Sequence, residues 1–119
     1  MKFRTIVTKK GTIILAGKNA KNNEELIKQV EPEEIVLHTV SPGSPFVNIK
    51  GKPRLGDVKK AAIFCARHSQ DWRDNKKDVK VHKFKGKDVY KRKNMKTGTF
   101  EVKNFKIIKV KKKDILKWK

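Results

Sequence analysis

The side chains best suited to metal or nucleophile chemistry in this 119-residue chain are His38, His68, His82 and the single cysteine, Cys65. Cys65 and His68 stand three apart, so a helix would place them on one side as a pair of metal ligands. A closed zinc site needs four ligands, and neither a second cysteine nor a nearby acidic pair supplies the rest. Cys65 therefore reads as a small buried hydrophobe. One cysteine also excludes an internal disulfide and fits a cytoplasmic protein. Hydrolysis would need paired carboxylates, or a Ser or Cys beside a His and an acid. The acids here fall at helix starts, in the Glu31-to-Glu34 run and at loop ends, where solvated charge explains them. Gly17-Lys18-Asn19 lacks the spacing of a phosphate-cradling glycine loop. These residues point to a protein that is not an enzyme and carries no cofactor or metal. His38 stays open: ahead of a tight Pro-Gly loop, it could stack on a base, bond a phosphate, or bond the loop backbone.

Charge states the chemistry more directly. Lys and Arg number 32 against 12 Asp and Glu, a formal net charge of +20. Residues 1–75 carry +6 and residues 76–119 carry +14. A polyanion is the natural partner, because each phosphate neutralised by Lys or Arg releases condensed counterions. An acidic membrane would attract the same charge, but attachment needs an apolar face or a lipid as well. No apolar run approaches the roughly 20 residues that span a bilayer, and Phe3 to Leu15, interrupted by Lys9, Lys10 and Gly11, is not a targeting segment. Nucleic acid is the expected partner, and a membrane is not.

The elements that must position these charges can be read from periodicity. Phe3–Thr8 and Thr12–Ala16 form a hairpin around Lys9-Lys10-Gly11, and Asn19 caps a helix that runs to about Val30 and is ended by Pro32. Ile35–Thr39 and Phe46–Ile49 are strands flanking the loop Ser41-Pro42-Gly43-Ser44-Pro45. Val58, Ala61, Ala62, Cys65, Ala66, Ser69 and Trp72 describe one continuous helical face, with Asp57 as its N-cap. Strands then fill the remainder, near 78–84, 88–92, 99–103 and 106–111. In these, Val79, Val81, Phe100, Val102, Ile108 and Val110 face inward, and Lys80, Lys103 and Lys109 face outward. The expected fold is α+β: one compact domain over residues 1–119, with two helices packed on a mostly antiparallel sheet that has one buried and one Lys-studded face.

Aromatic residues recur in the basic third: Phe84, Tyr90, Phe100, Phe105 and Trp118. Stacking a base on an exposed ring contributes about 1–3 kcal/mol. In so small a domain Phe84, Phe100 and Phe105 are expected in the core, with Tyr90 and Trp118 freer. The paired aromatic signature of an RNA-recognition-motif sheet is absent.

Several short motifs, taken in order, resemble the RNA-binding domain of NFACT proteins. Gly17-Lys18-Asn19-Ala20 with Asn23 and Leu26 is similar to its "G-(R/K)-(N/D)-A-x-x-N-(D/E)-x-(L/I)" opening. Leu37-His38-Thr39 followed by Pro42-Gly43-Ser44 resembles its "H-x-x-x-x-G-(S/A)" segment, although Pro45 stands where many members carry His. Ala61, Ala62 and Ser69-Gln70-Asp71-Trp72 are similar to the helix that in archaeal and eukaryotic members ends "S-x-A-W". Asp88-Val89-Tyr90-Lys91 resembles the "x-V-S-K" step, and Gly98-Thr99-Phe100-Glu101-Val102-Lys103 the closing "G-S-F-x-(I/V)-(R/K)". The resemblance spans about residues 3–110. It implies an α+β RNA-binding module in translation quality control, on tRNA or rRNA and possibly on the large ribosomal subunit, and it points to Lys18, Asn19, His38, Gly43, Ser44, Lys91 and Lys103. The other parts of full-length NFACT proteins, which position tRNA and support tail synthesis, lie outside the matching motifs. The resemblance is to the stand-alone members. With Arg92 added, these residues outline a groove bounded by the 17–19 turn, the 38–44 loop and the basic strands. A general nucleic-acid-coating or ribosome-structural protein without selectivity is the competing reading.

Overall fold

The computed structural model describes residues 2–118. In chain order the elements are β1 (Arg4–Val7), β2 (Ile13–Ala16), α1 (Ala20–Lys28), β3 (Ile35–Thr39), β4 (Val47–Ile49), α2 (Leu55–Arg67), α3 (Gln70–Asn75), β5 (Val79–Lys85), β6 (Val89–Tyr90), β7 (Glu101–Val102), β8 (Lys106–Val110) and α4 (Lys112–Leu116). Six strands form one antiparallel sheet in the order β1-β2-β4-β3-β5-β8, and β6 pairs only with β7. An α+β domain with helices on an antiparallel sheet is therefore what the chain adopts.

Strand alternation explains why both faces of this sheet are covered. Ile14, Ala16, Leu37, Val47, Ile49, Val79, Val81 and Val110 lie in one core cluster with Ala61, Ala62, Cys65 and Ala66 of α2. The intervening residues Leu15, Val36 and Phe84 belong to a second cluster with Leu26 of α1, Phe46 and Phe100. The face expected to be open and Lys-studded is thus capped at its centre by α1 and the β6–β7 hairpin. The β5–β8 margin remains Lys-studded, with Lys80 opposite Lys109 and both exposed.

Three local expectations change. Asp57 is not the N-cap of α2; that position belongs to Arg54, whose amide donates to Asp57 Oδ2 at 3.0 Å, while Thr12 Oγ1 donates to the same oxygen at 2.9 Å. The single helical face from Val58 to Trp72 is split. Ser69 Oγ donates to the Ala66 carbonyl at 2.7 Å and accepts from the Trp72 amide at 3.1 Å, so it ends one helix and caps the next. Trp72 still reaches the core, 4% exposed. Past β8 the chain turns into α4, whose first amide donates to Asp78 Oδ1 at 2.8 Å and whose Ile115 is fully buried.

One buried carboxylate ties α1's exit to the sheet. Glu34 Oε1 accepts from Lys50 Nζ at 2.7 Å and from the Glu31 amide at 3.0 Å, and Oε2 accepts from the Gly51 amide at 2.9 Å. Burial pushes this carboxyl up, but the Gly51 amide, the Lys50 ammonium and the Glu31 amide outweigh it and hold it below its ordinary value of 4.5. A folded-state value below the unfolded one means that the unfolded chain binds the proton first on acidification. Stability from Glu34 is therefore present above pH 4.5 and lost as the pH falls through the depressed folded value. Thermal melts should show Tm dropping below that pH in the parent, and a shallower drop in Glu34→Gln.

Candidate nucleic-acid interface

The turn before α1 is built by its own asparagines. Asn19 caps the helix by accepting from the Asn22 amide at 2.8 Å, and Asn22 Oδ1 accepts from the Lys18 amide at 2.9 Å. Asn23 Oδ1 accepts from the Phe46 amide at 3.1 Å, and this carboxamide occupies the space that a Cβ on residue 17 would fill, so only glycine fits there. The motif is thus first a joint between α1 and β4. It leaves the Lys18 side chain exposed, with no ion pair among the described residues.

The 38–44 loop is also tied by its own polar groups. Ser44 Oγ accepts from the Thr39 amide at 3.0 Å, and Thr39 Oγ1 donates to the Ser41 carbonyl at 2.6 Å. Gly43 takes φ +90°, and its carbonyl accepts from the Gln70 amide at 2.7 Å, docking the loop on the start of α3. Beneath it Cys65 is fully buried, and burial pushes its thiol up to about 12, so it stays protonated and inert. His38 Nδ1 lies 2.8 Å from the Thr39 carbonyl, and its ring packs 4.4 Å from that of Phe46. Desolvation holds the imidazole below its ordinary 6.5, which leaves it neutral at pH 7. The backbone-bonding role left open by the sequence is thus filled. The ring's remaining surface is that of an uncharged aromatic.

The β6–β7 hairpin is fastened to α1 by Lys91. Its ammonium pairs with Glu24, donates to the carbonyls of Lys96 at 2.7 Å and Thr99 at 3.1 Å, and sits 4.6 Å from the Phe100 ring centroid. Gly98 closes the same joint: its amide donates to Glu24 Oε1 at 2.7 Å, and at φ +82° an added Cβ would lie 2.8 Å from Ala20 Cα. Arg92 pairs with Glu101 at 2.9 Å. Lys103 is exposed, and its backbone amide donates to the Asp88 carbonyl at 3.0 Å.

These joints converge on a cleft of about 740 Å³. The 17–19 turn, the 38–44 loop and the hairpin segment 97–100 form its walls, so Lys18, Asn19, His38, Gly43 and Ser44 are brought together. Lys91, Arg92 and Lys103 do not line it. Residues not assigned to the groove from the sequence do: Arg4, His68 and Gln70 sit at the walls, with His82 and Phe105 towards the open β5–β8 margin. Arg4 and Arg67 add to partial desolvation in holding His68 below its ordinary value. Phe105, expected in the core, is 48% exposed, whereas Trp118 packs 5.7 Å from Phe64. Beside the cleft, Lys80 lies directly opposite Lys109 and Lys83 opposite Lys106, on alternate faces of the margin. Among the described residues, the acidic partner paired with these four is Asp78, 3.5 Å from Lys109. Among the described residues no cluster of three His, Cys, Asp or Glu could hold a metal ion, and no helix is long and apolar enough to cross a membrane.

Comparison with known proteins gives three concordant matches. The profile of the NFACT protein RNA binding domain matches residues 2–104. The archaeal Rqc2 homolog aRqcH of Methanocaldococcus jannaschii is 34% identical over 67 residues, covering 53% of this chain and 10% of that protein. The chain therefore spans a small part of that relative. The structure of the C-terminal part of the fibronectin/fibrinogen-binding protein from Streptococcus suis superimposes with a TM-score of 0.84 at 26% identity, over 93% of this chain and 45% of that one.

Proposed function

The chain belongs to the NFACT RNA-binding domain family, and from that membership we propose that it holds RNA by its phosphates, on tRNA or the large ribosomal subunit, in translation quality control. The observation that carries this reading is the lysine couple on the cleft face of the β5–β8 margin, Lys80–Lys109. Like charges directly opposite each other destabilise a sheet. A polyanion laid along the margin turns that repulsion into attraction. Lys18 and Lys103 extend the surface, and Asn19, His38, Gly43 and Ser44 form the wall against which a bound strand is oriented. Lys91 and Arg92 contribute less to phosphate binding, because Glu24 and Glu101 already pair with them. The module is non-catalytic in this reading. Its placement in quality control draws on the name of the Methanocaldococcus relative, an Rqc2 homolog.

Selectivity tests it. In sucrose gradients the protein should sediment with large ribosomal subunits, and in competition tRNA should displace labelled RNA better than duplex DNA of equal length. Equal competition by duplex DNA, with no subunit preference, would instead establish the unselective coating protein.

A further inference from the structure

We propose that the Phe105–His82 pair at the edge of the cleft is a stacking subsite for an unpaired RNA base. The inference rests on the RNA-binding reading above and deepens it from phosphate contact to recognition of single-stranded RNA. Phe105 and His82 lie with ring centroids 4.2 Å apart, tilted by 53°. On the same face, Ile107 stands opposite His82 in register and Val40 continues β3 next to Lys80; they are 54% and 41% exposed. Burial would have cost these side chains nothing, and the alternation of β5 sends Val79 and Val81 into the core from the same strands. An apolar strip that stays open while its neighbours are covered marks a contact surface.

Charge selects the occupant. Lys80 lies two residues from His82 along β5, about 7 Å, and Lys109 lies two from Ile107 on β8. A ring edged by lysines offers a base its stacking face and the flanking phosphates their counterions, as in single-strand binding grooves. A second copy of this chain would bring another +20 against the same lysines, so the patch does not suit self-association. A paired duplex presents phosphates but hides its base faces. His82 is kept below its ordinary 6.5 by desolvation, which leaves a neutral ring that stacks without a charge of its own.

The experiment uses two RNAs of equal phosphate number, one a stem with an unpaired loop carrying 2-aminopurine, the other fully paired. The parent should bind the looped RNA more tightly and quench 2-aminopurine fluorescence. Phe105→Ala should weaken the looped RNA about ten-fold and abolish the quench, while affinity for the paired RNA, the salt slope and Tm stay at parent values. Phe105→Tyr should restore both. Looped and paired RNA bound equally, with Phe105→Ala silent, would overturn the subsite and leave phosphate binding standing. A Phe105→Ala variant that changes sedimentation of the free protein but not RNA affinity would also overturn it and assign the patch to contact between copies. A parent that binds neither RNA removes the RNA-binding reading itself, and the subsite with it.

Discussion

Replacing Ala62 with lysine will unfold the domain or cut its melting temperature sharply, whereas Lys59→Glu, three residues earlier on the same helix, will melt like the parent. Ala62 is 1% exposed and sits where α2 meets the sheet, among Ala61, Cys65 and Ala66. The small side chains let the helix backbone lie close to β3 and β4, and they leave no space for a butyl ammonium. The surrounding cluster is apolar, so an ammonium placed in it would be cut off from water. Burying it costs several kcal/mol after relaxation, against a total stability of roughly 5–15 kcal/mol. Lys59 is exposed and makes no ion pair among the described residues, so reversing its charge breaks no salt bridge there. Two parent-like melts would mean that α2 does not pack through this face.

The face of α2 was legible because periodicity is a local signal carried by seven residues between Val58 and Trp72. The break at Ser69 was not. A serine on a helical face reads as helix, and only its bonds to Ala66 and Trp72 reveal a cap. In the same way, alternation located β5 and β8 and oriented Lys80 and Lys109. It carries no information on whether a third layer lies above the sheet, and α1 with the β6–β7 hairpin supplies one.

The cleft was half visible for a related reason. The 17–19 turn and the 38–44 loop announced themselves through glycines, a proline and asparagines that a fixed backbone geometry requires. Lys91 and Phe105 could be placed only by partners distant in sequence. Glu24 lies 67 residues from Lys91, and pairing with it makes Lys91 a fastening for the hairpin. Phe105 reads as a core residue by type, yet it immediately precedes an edge strand and stays 48% exposed. His68 showed only its spacing from Cys65 and Gln70 only its place in the Ser69–Trp72 motif; they reach the cleft because Ser69 turns the chain there.

RNA affinity should fall about 10³-fold between 50 and 200 mM salt if about six phosphates are neutralised. Salt titrations by fluorescence anisotropy measure this directly as the slope of log affinity against log salt. The position of the charges can be read from the same titration. Lys80→Ala/Lys109→Ala removes one cross-strand couple on the cleft face, which should lower the slope by about 2, one unit for each lost phosphate contact. The loss should be similar for paired and looped RNA, because phosphate contacts carry no base information. Lys59→Ala/Lys60→Ala removes the same charge from α2, which packs on the opposite face of the sheet. At 0.15 M salt the screening length is about 8 Å, shorter than the thickness of sheet and helix layer between them, since packed layers stand about 10 Å apart. The α2 variant should therefore keep the parent slope and bind almost as tightly. Removing the β5–β8 couple should also relieve like-charge repulsion in the sheet, so its Tm should hold or rise while RNA binding weakens. That opposition separates a binding surface from general loss of fold. Equal slopes in the two double variants would mean that RNA rides on diffuse charge, and a slope near zero in the parent would remove phosphate neutralisation as the source of affinity.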